Sequence, residues 1–249
     1  MIDIAIAACK VSGSILREHL YRDLRVADWE RHDVKLEVDK LCEEGIKQVI
    51  LRRYPDHSIL AEETGHIDRR SDYTWIIDPL DGTANYYRGL PHFSVSVALQ
   101  KKDEIILGVV YDPYKDDLFT AQKDRGATLN GRALSVSKVE KVEESYITIG
   151  FMKTDGSIKR GLSALEKLAG SVSKIRMTGS AALDLCYVAC GRFDAHVEYE
   201  VNMWDIAAGV LMVREAGGEA DFKASPESGY DVLATNGRLQ RGLREVVGS

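Results

Sequence analysis

This sequence predicts a mixed fold, an α+β first half joined to an α/β second half. Three observations carry the prediction. Helical periodicity runs from the N-terminus to Arg53, alternating or apolar runs with hairpin signals follow from Ser58 to Leu134, and helices alternate with strands beyond residue 145. No Pro/Ser-rich linker separates the halves and no repeat is present. The 249 residues are therefore expected to form a single domain with subdomains 1–145 and 146–249.

The first helix is amphipathic: Ile2, Ile6, Cys9, Gly13, Leu16 and Leu20 recur at three- and four-residue steps, while Lys10, Arg17 and Glu18 fall elsewhere. A polar loop is expected from Arg22 to about Asp33. A second helix follows over 37–53, with Val38, Cys42, Ile46 and Val49 on one face and Tyr54-Pro55 ending it. Ser58–Ala61 and Tyr73–Ile77 read as short buried strands. Phe93, Val95, Val97 and Leu99 alternate with smaller or polar residues, and Ile105–Tyr111 follows the turn at Lys101-Lys102-Asp103, so a hairpin is expected. Asn130-Gly131 is a two-residue hairpin turn. In the second half, helices are expected near 157–168, 180–189, 205–216 and 238–247, and strands near 174–177, 195–199 and 232–235.

The composition is that of a globular protein, 45% hydrophobic and 29% charged, and the net charge of −6 argues against nucleic acid as a partner. No apolar run approaches the length of a membrane span and no signal-peptide pattern opens the chain, which reads as cytoplasmic. Cys9, Cys42, Cys186 and Cys190 form no CxxC. They are expected to be buried and reduced.

Chemistry enters with the acidic residues. Ser58–Ala61 runs into Glu62-Glu63, Trp75-Ile76-Ile77 into Asp78-Pro79-Leu80-Asp81-Gly82-Thr83, and Val201–Trp204 into Asp205, which opens an apolar run. Each carboxylate stands at the end of a buried element, where isolated charge is costly. Taken singly, Glu62 or Asp205 reads equally as a solvated loop end or helix cap. The Asp78–Thr83 run has no common packing role. If Glu62, Asp78, Asp81 and Asp205 converge, they need a cation, and hard oxygen ligands suit Mg²⁺. The histidines are scattered and no HExxH is present, so a histidine zinc site is not expected. Gly82-Thr83 adds a turn whose backbone amides can hold phosphate and a hydroxyl that can orient water.

At this point the sequence resembles the inositol-monophosphatase family. Trp75–Tyr86 looks like the family's first signature, and Trp204–Gly209 continuing to Glu215-Ala216-Gly217-Gly218 looks like its second. Glu62-Glu63 falls at its glutamate pair, and Gly179-Ser180-Ala181 at its substrate-side turn. The resemblance runs the whole chain in order. It implies the layered α-β-α-β-α sandwich of the sugar-phosphatase superfamily, with metal sites where the halves meet. It further implies two or three Mg²⁺ ions on Glu62, Asp78, Asp81, Asp205 and the Leu80 carbonyl, water activation by Glu62 and Thr83, and phosphate held by the Gly82 and Thr83 amides. Asp39 would partner Thr83. Substrate would meet Gly179, Ser180, Ala181, Asp205 and Glu198, the last gripping hydroxyls; Glu198 also reads as a strand-end charge beside Tyr199 and Glu200.

The implied activity is hydrolysis of inositol monophosphate or a related polyol or sugar phosphate by direct in-line water attack, with inhibition by Ca²⁺ and Li⁺ and a homodimer as family traits. Fructose-1,6-bisphosphate and 3′-phosphoadenosine 5′-phosphate hydrolysis share every metal ligand and stand as alternatives. So does a non-catalytic role in an RNA or transcription complex. The chain departs from the family pattern at Leu36, where a threonine is usual, in Ala27–His32, which lacks the family's loop lysine, and at Asn202, which replaces a histidine of animal relatives.

Overall fold

The structure, a computed structural model, describes residues 1–21, 26–30, 33–151, 154–226 and 228–248. Helices α1 (Ile2–His19) and α2 (Glu37–Arg53) pack their apolar faces together: Ala5, Ala8, Cys9 and Leu16 meet Val38, Cys42, Ile46 and Ile50 in one buried cluster. The segment expected as a polar loop between them instead contains two strands, β1 (Val26–Glu30) and β2 (Asp33–Leu36), paired antiparallel from Val26↔Leu36 to Glu30↔Asp33. Residues 22–25 and 31–32 of that segment lie outside the described residues.

Strands β3 (Ser58–Ala61), β4 (Gly65–Ile67), β5 (Tyr73–Asp81), β6 (Ser94–Lys101), β7 (Glu104–Asp112), β8 (Asp117–Gln122), β9 (Ala127–Leu129) and β10 (Arg132–Ala133) form one sheet in the order β10-β9-β8-β7-β6-β5-β3-β4. The β6–β7 hairpin and the Asn130-Gly131 turn stand where the sequence put them. β4 and β8 were not expected. Between β5 and β6 lies the short helix α3 (Thr83–Tyr87).

The second half contains β11 (Tyr146–Phe151), α4 (Asp155–Ala169), β12 (Lys174–Arg176), α5 (Ala181–Ala189), β13 (Ala195–Val201), α6 (Met203–Glu215), β14 (Glu219–Ala224), β15 (Tyr230–Thr235) and α7 (Gln240–Val247). Its sheet runs β12-β11-β13-β15-β14, parallel across β12-β11-β13 and antiparallel beyond. β11 and β14 were not expected, although β14 alternates charged Glu219, Asp221 and Lys223 with Ala220, Phe222 and Ala224.

Three buried clusters define the layers. α1 and α2 cover the outer face of the large sheet. α5 and α6 lie between the sheets, where Leu183, Leu185, Ile206, Val210 and Met212 meet Ile76, Ala98, Val110 and Phe119 from one side and Val232 and Ala234 from the other. α4 and α7 cover the far face of the small sheet. This is the α-β-α-β-α sandwich. α5 and α6 are apolar nearly all round because both their faces are buried. The cysteines are free thiols; Cys9, Cys42 and Cys186 are buried, and Cys190 is half-buried. Among the described residues no helix is long and apolar enough to cross a membrane.

Candidate active site

The Asp78–Asp81 run is a continuation of β5, and its register explains why two aspartates three residues apart serve one site. In a regular strand residues i and i+3 point to opposite faces. Here Asp78 pairs with Ser96 and Asp81 with Ser94, so three steps on β5 match two on β6. This one-residue bulge turns both carboxylates to the same side. Pro79, which has no N–H to give a ladder, sits in it. The buried Ser12 hydroxyl of α1 donates to the Pro79 carbonyl at 3.1 Å, and the Leu80 amide donates to Asp78 Oδ1 at 3.0 Å.

Gly82 then takes left-handed backbone angles (φ 86°, ψ 37°) and starts α3. A Cβ there would stand 3.0 Å from the His92 carbonyl oxygen and 3.1 Å from that of Gly179. The turn is thus wedged against the second half of the chain and suits only glycine. The Asn85 amide donates to the carbonyls of His92 and Thr178, 2.8 Å each, tying the two halves together beside the Gly179 turn.

Asp205 is the third residue of α6, which begins two residues before the expected start. It accepts from the Asn202 amide at 2.9 Å, one half of a capping box, and its charge suits a helix N-terminus. Asp81 makes the reciprocal connection. Its Oδ2 accepts from the Ser180 hydroxyl, the Ala182 amide at 3.0 Å and the Ser94 hydroxyl at 3.2 Å, so a carboxylate of the first half caps α5 of the second.

Glu62, Asp78, Leu80, Asp81, Gly82, Thr83, Gly179, Ser180, Ala181, Glu198 and Asp205 line one cleft of about 460 Å³. Asp39 does not line it. Buried at the start of α2, it accepts from the Leu36 amide at 2.8 Å, while the Thr83 hydroxyl donates to the Leu80 carbonyl at 2.9 Å. The hydrogen bonds seen for the two groups thus run to their own local backbone. Leu36 is buried ahead of α2, and of the departing segment Ala27–His32, Arg31 and His32 lie outside the described residues. Glu215 of the second signature lies away from the cleft and accepts from the amides of Asp124, Arg125 and Gly126, which fixes the β8–β9 turn.

Sequence reasoning missed Asp184, which also lines the cleft, and His196 behind Glu198. Both left a signal: Asp184 is a lone acid in the apolar run Ala181–Ala189, and His196 shares a face with Glu198 at strand spacing.

Among the described residues six carboxylates line the cleft, and none of the lining residues is Lys, Arg or His. Burial first, and then the charges of Glu62, Asp81 and Asp205, push Asp78 well above the usual carboxylate range. Burial, with repulsion from Asp81 and Glu198, does the same to Asp205. Asp81 is pushed up to about 6 by burial, although the hydrogen bond from Ser180 pulls the other way. Burial raises Asp184 to about 7 against the opposing charge of His196. Among the described residues no three such groups already stand as a closed cage. The donors are nonetheless all hard oxygens, mutual repulsion opposes the ionisation of Asp78 and Asp205, and a divalent cation would relieve it; the residues fit Mg²⁺.

Comparisons with known proteins point to one family. The family model described as the inositol monophosphatase family matches residues 1–244. A curated protein of Pasteurella multocida named Nus factor SuhB is 43% identical over 252 residues, covering 99% of this chain and 92% of that protein. One of Aquifex aeolicus named fructose-1,6-bisphosphatase/inositol-1-monophosphatase is 37% identical, covering 98% and 94%. The solved inositol monophosphatase of Anabaena superposes with a TM-score of 0.88 at 35% identity, covering 99% of this chain and 94% of that one. With the family model, the relatives and the layered fold all in agreement, this chain belongs to the inositol monophosphatase family.

Proposed function

We propose that the chain is a Mg²⁺-dependent phosphomonoesterase acting on inositol monophosphate or a related polyol or sugar phosphate. The observation that carries this reading is the cleft itself, with six carboxylates and no cationic side chain among its described lining residues, and a Gly82-Thr83 turn at its edge. Such a surface repels a phosphate ester until cations occupy it.

Glu62, Asp78, Asp81, Asp205 and the Leu80 carbonyl would hold the metal. When bound, Mg²⁺ supplies the positive charge that acidifies a water and stabilises charge on the leaving oxygen. The chain's own groups do the rest. Thr83 Oγ1 gives its proton to the Leu80 carbonyl, so towards a water it offers lone pairs and orients it. Glu62 accepts the water's proton as the water oxygen bonds to phosphorus. The bond from phosphorus to the ester oxygen breaks in line, that oxygen takes up a proton from solvent water, Glu62 later returns its own proton to solvent, and alcohol and inorganic phosphate leave. The Gly82 and Thr83 amides hold the phosphate oxygens, and Glu198, with Ala181 beside it, accepts from substrate hydroxyls. The test is phosphate release from inositol, fructose and adenosine phosphates with Mg²⁺. No release from any of them, by a folded protein that binds Mg²⁺, would overturn the reading. A homodimer belongs to the same reading and is checked by light scattering.

The relatives favour a second reading. Proteins named Nus factor in Pasteurella multocida and Haemophilus influenzae are each 43% identical to this chain over nearly its whole length. A role in a transcription complex would then accompany or replace catalysis. Capture of the same transcription components by wild type and by Asp81→Asn would support it; capture of none would remove it.

A further inference from the structure

The polyol reading rests on Glu198, and the structure shows what places its carboxylate. β11 and β13 run parallel with Thr148 beside His196 and Gly150 beside Glu198, so these four residues share the face towards the cleft and α5. His196 is buried, 1% exposed. Its Nε2 lies 2.9 Å from Glu198 Oε2 and its Nδ1 lies 2.8 Å from Thr148 Oγ1, with Asp184 Oδ2 at 3.6 Å. A carboxylate only accepts, so Nε2 carries the proton towards Glu198 and the Thr148 hydroxyl can serve Nδ1. The ring is locked on both sides, and one Glu198 oxygen is committed to it.

Gly150 supplies the other constraint. A Cβ built there would stand 2.4 Å from Glu198 Oε1 and 2.6 Å from its carboxyl carbon. The carboxylate occupies the space a side chain would take. Glu200 differs: two residues on, it is buried in an ion pair with Arg160 at 2.7 Å and belongs to the framework.

We propose that His196 and Gly150 are positioning residues that together fix the Glu198 carboxylate, and that this pair determines selectivity for substrates bearing hydroxyls next to the phosphate. His196 pulls on Oε2, Gly150 leaves room beneath the group, and the remaining acceptor capacity is aimed into the cleft. Without either, Glu198 keeps its charge and loses its place. The proposal rests on the polyol reading of the preceding subsection.

The experiment compares inositol 1-phosphate with p-nitrophenyl phosphate, which lacks neighbouring hydroxyls, and reads the ratio of the two kcat/KM values at saturating Mg²⁺. Glu198→Gln, Gly150→Ala, His196→Phe and His196→Gln are measured singly, and Gly150→Ala also in combination with Glu198→Gln. A charge-assisted hydrogen bond lost from substrate lowers the ratio by about tenfold or more. That loss is expected in Gly150→Ala and His196→Phe, through KM for inositol 1-phosphate more than through kcat. His196→Gln keeps an N–H near the Nε2 position and is expected to recover most of the ratio. The Gly150→Ala, Glu198→Gln double variant should lose no more than Glu198→Gln alone, because both changes remove one interaction. Gly150→Ala displaces only the end of a flexible side chain, so it carries the test if His196→Phe fails to fold. An unchanged ratio in Gly150→Ala, or additive losses in the double variant, overturns the positioning while leaving the polyol reading in place. An unchanged ratio in Glu198→Gln overturns the polyol reading, and the positioning proposal with it.

Discussion

Asp81→Asn should stabilise the metal-free protein while disabling the site. Burial raises the Asp81 carboxyl from an ordinary 3.8 to about 6. An acid raised in this way costs the fold nothing below the lower value. The cost grows as pH rises through the folded-state value and is complete by about pH 8. Each tenfold change in proton affinity corresponds to about 1.4 kcal/mol, so the metal-free fold gives up about 3 kcal/mol to ionise this one group. Asparagine escapes that cost and keeps an oxygen for the donors now on Oδ2, Ser180, Ala182 and Ser94. The value of about 6 already includes the pull of these hydrogen bonds on the charged form, so the gain is up to about 3 kcal/mol. For a chain of this size that is a rise in Tm of up to about 6–12 °C. Thermal unfolding in chelator at pH 8 and at pH 5 measures it: the variant should melt higher at pH 8, and the gap should shrink to about half at pH 5. Added Mg²⁺ should raise the wild type more than the variant and leave the variant nearly inactive. A variant that melts below wild type in chelator at pH 8, or by an offset independent of pH, would refute the electrostatic reasoning.

Three further outcomes are expected. Chelator should abolish phosphate release and Mg²⁺ should restore it, because the described lining of the cleft offers phosphate no cationic side chain; undiminished turnover in excess chelator contradicts the metal assignment. Mg²⁺ at a hundredfold excess over its dissociation constant should stabilise the fold by about 2.7 kcal/mol, with a smaller thermal shift in Asp78→Asn and Asp205→Asn; equal shifts in all three proteins would place the ion elsewhere. Gly82→Ala must hold a positive φ and press a methyl towards the His92 and Gly179 carbonyls, so urea unfolding should show a loss of about 1–3 kcal/mol, and an unchanged midpoint would show that the turn relaxes freely.

The ingredients of the site were legible in the sequence because carboxylates at the ends of apolar runs have few other uses, and eleven of the expected positions do line one cleft. What gathers them was not legible. The bulge at Pro79 is a matter of pairing with β6, which no local pattern states. The β1–β2 ribbon went unseen because Asp28, Glu30, Asp33 and Lys35 give no apolar alternation. The cap that Asp39 gives to the Leu36 amide was not read either, although a carboxylate three residues on is within reach of that amide. His196 was hidden for a different reason: it lies behind Glu198, and its role depends on Thr148 of a strand that was not expected.

The bulge in β5 has a counterpart in β13, where Glu198 pairs with Val232 and Val201 with Tyr230, again three steps against two. Each half of the cleft is built on a strand carrying one residue more than its neighbour can match. Parity along the backbone thereby becomes part of the chemistry. Exchanging Pro79 for another residue leaves the count intact, whereas inserting one more residue beside it leaves every carboxylate in the sequence and, with a single bulge, turns Asp78 and Asp81 to opposite faces of the sheet. The site is accordingly more vulnerable to a change in length at these two places than to many changes in composition. Drift that preserves spacing can revise the pocket's lining while the carboxylate-bearing face stays in phase.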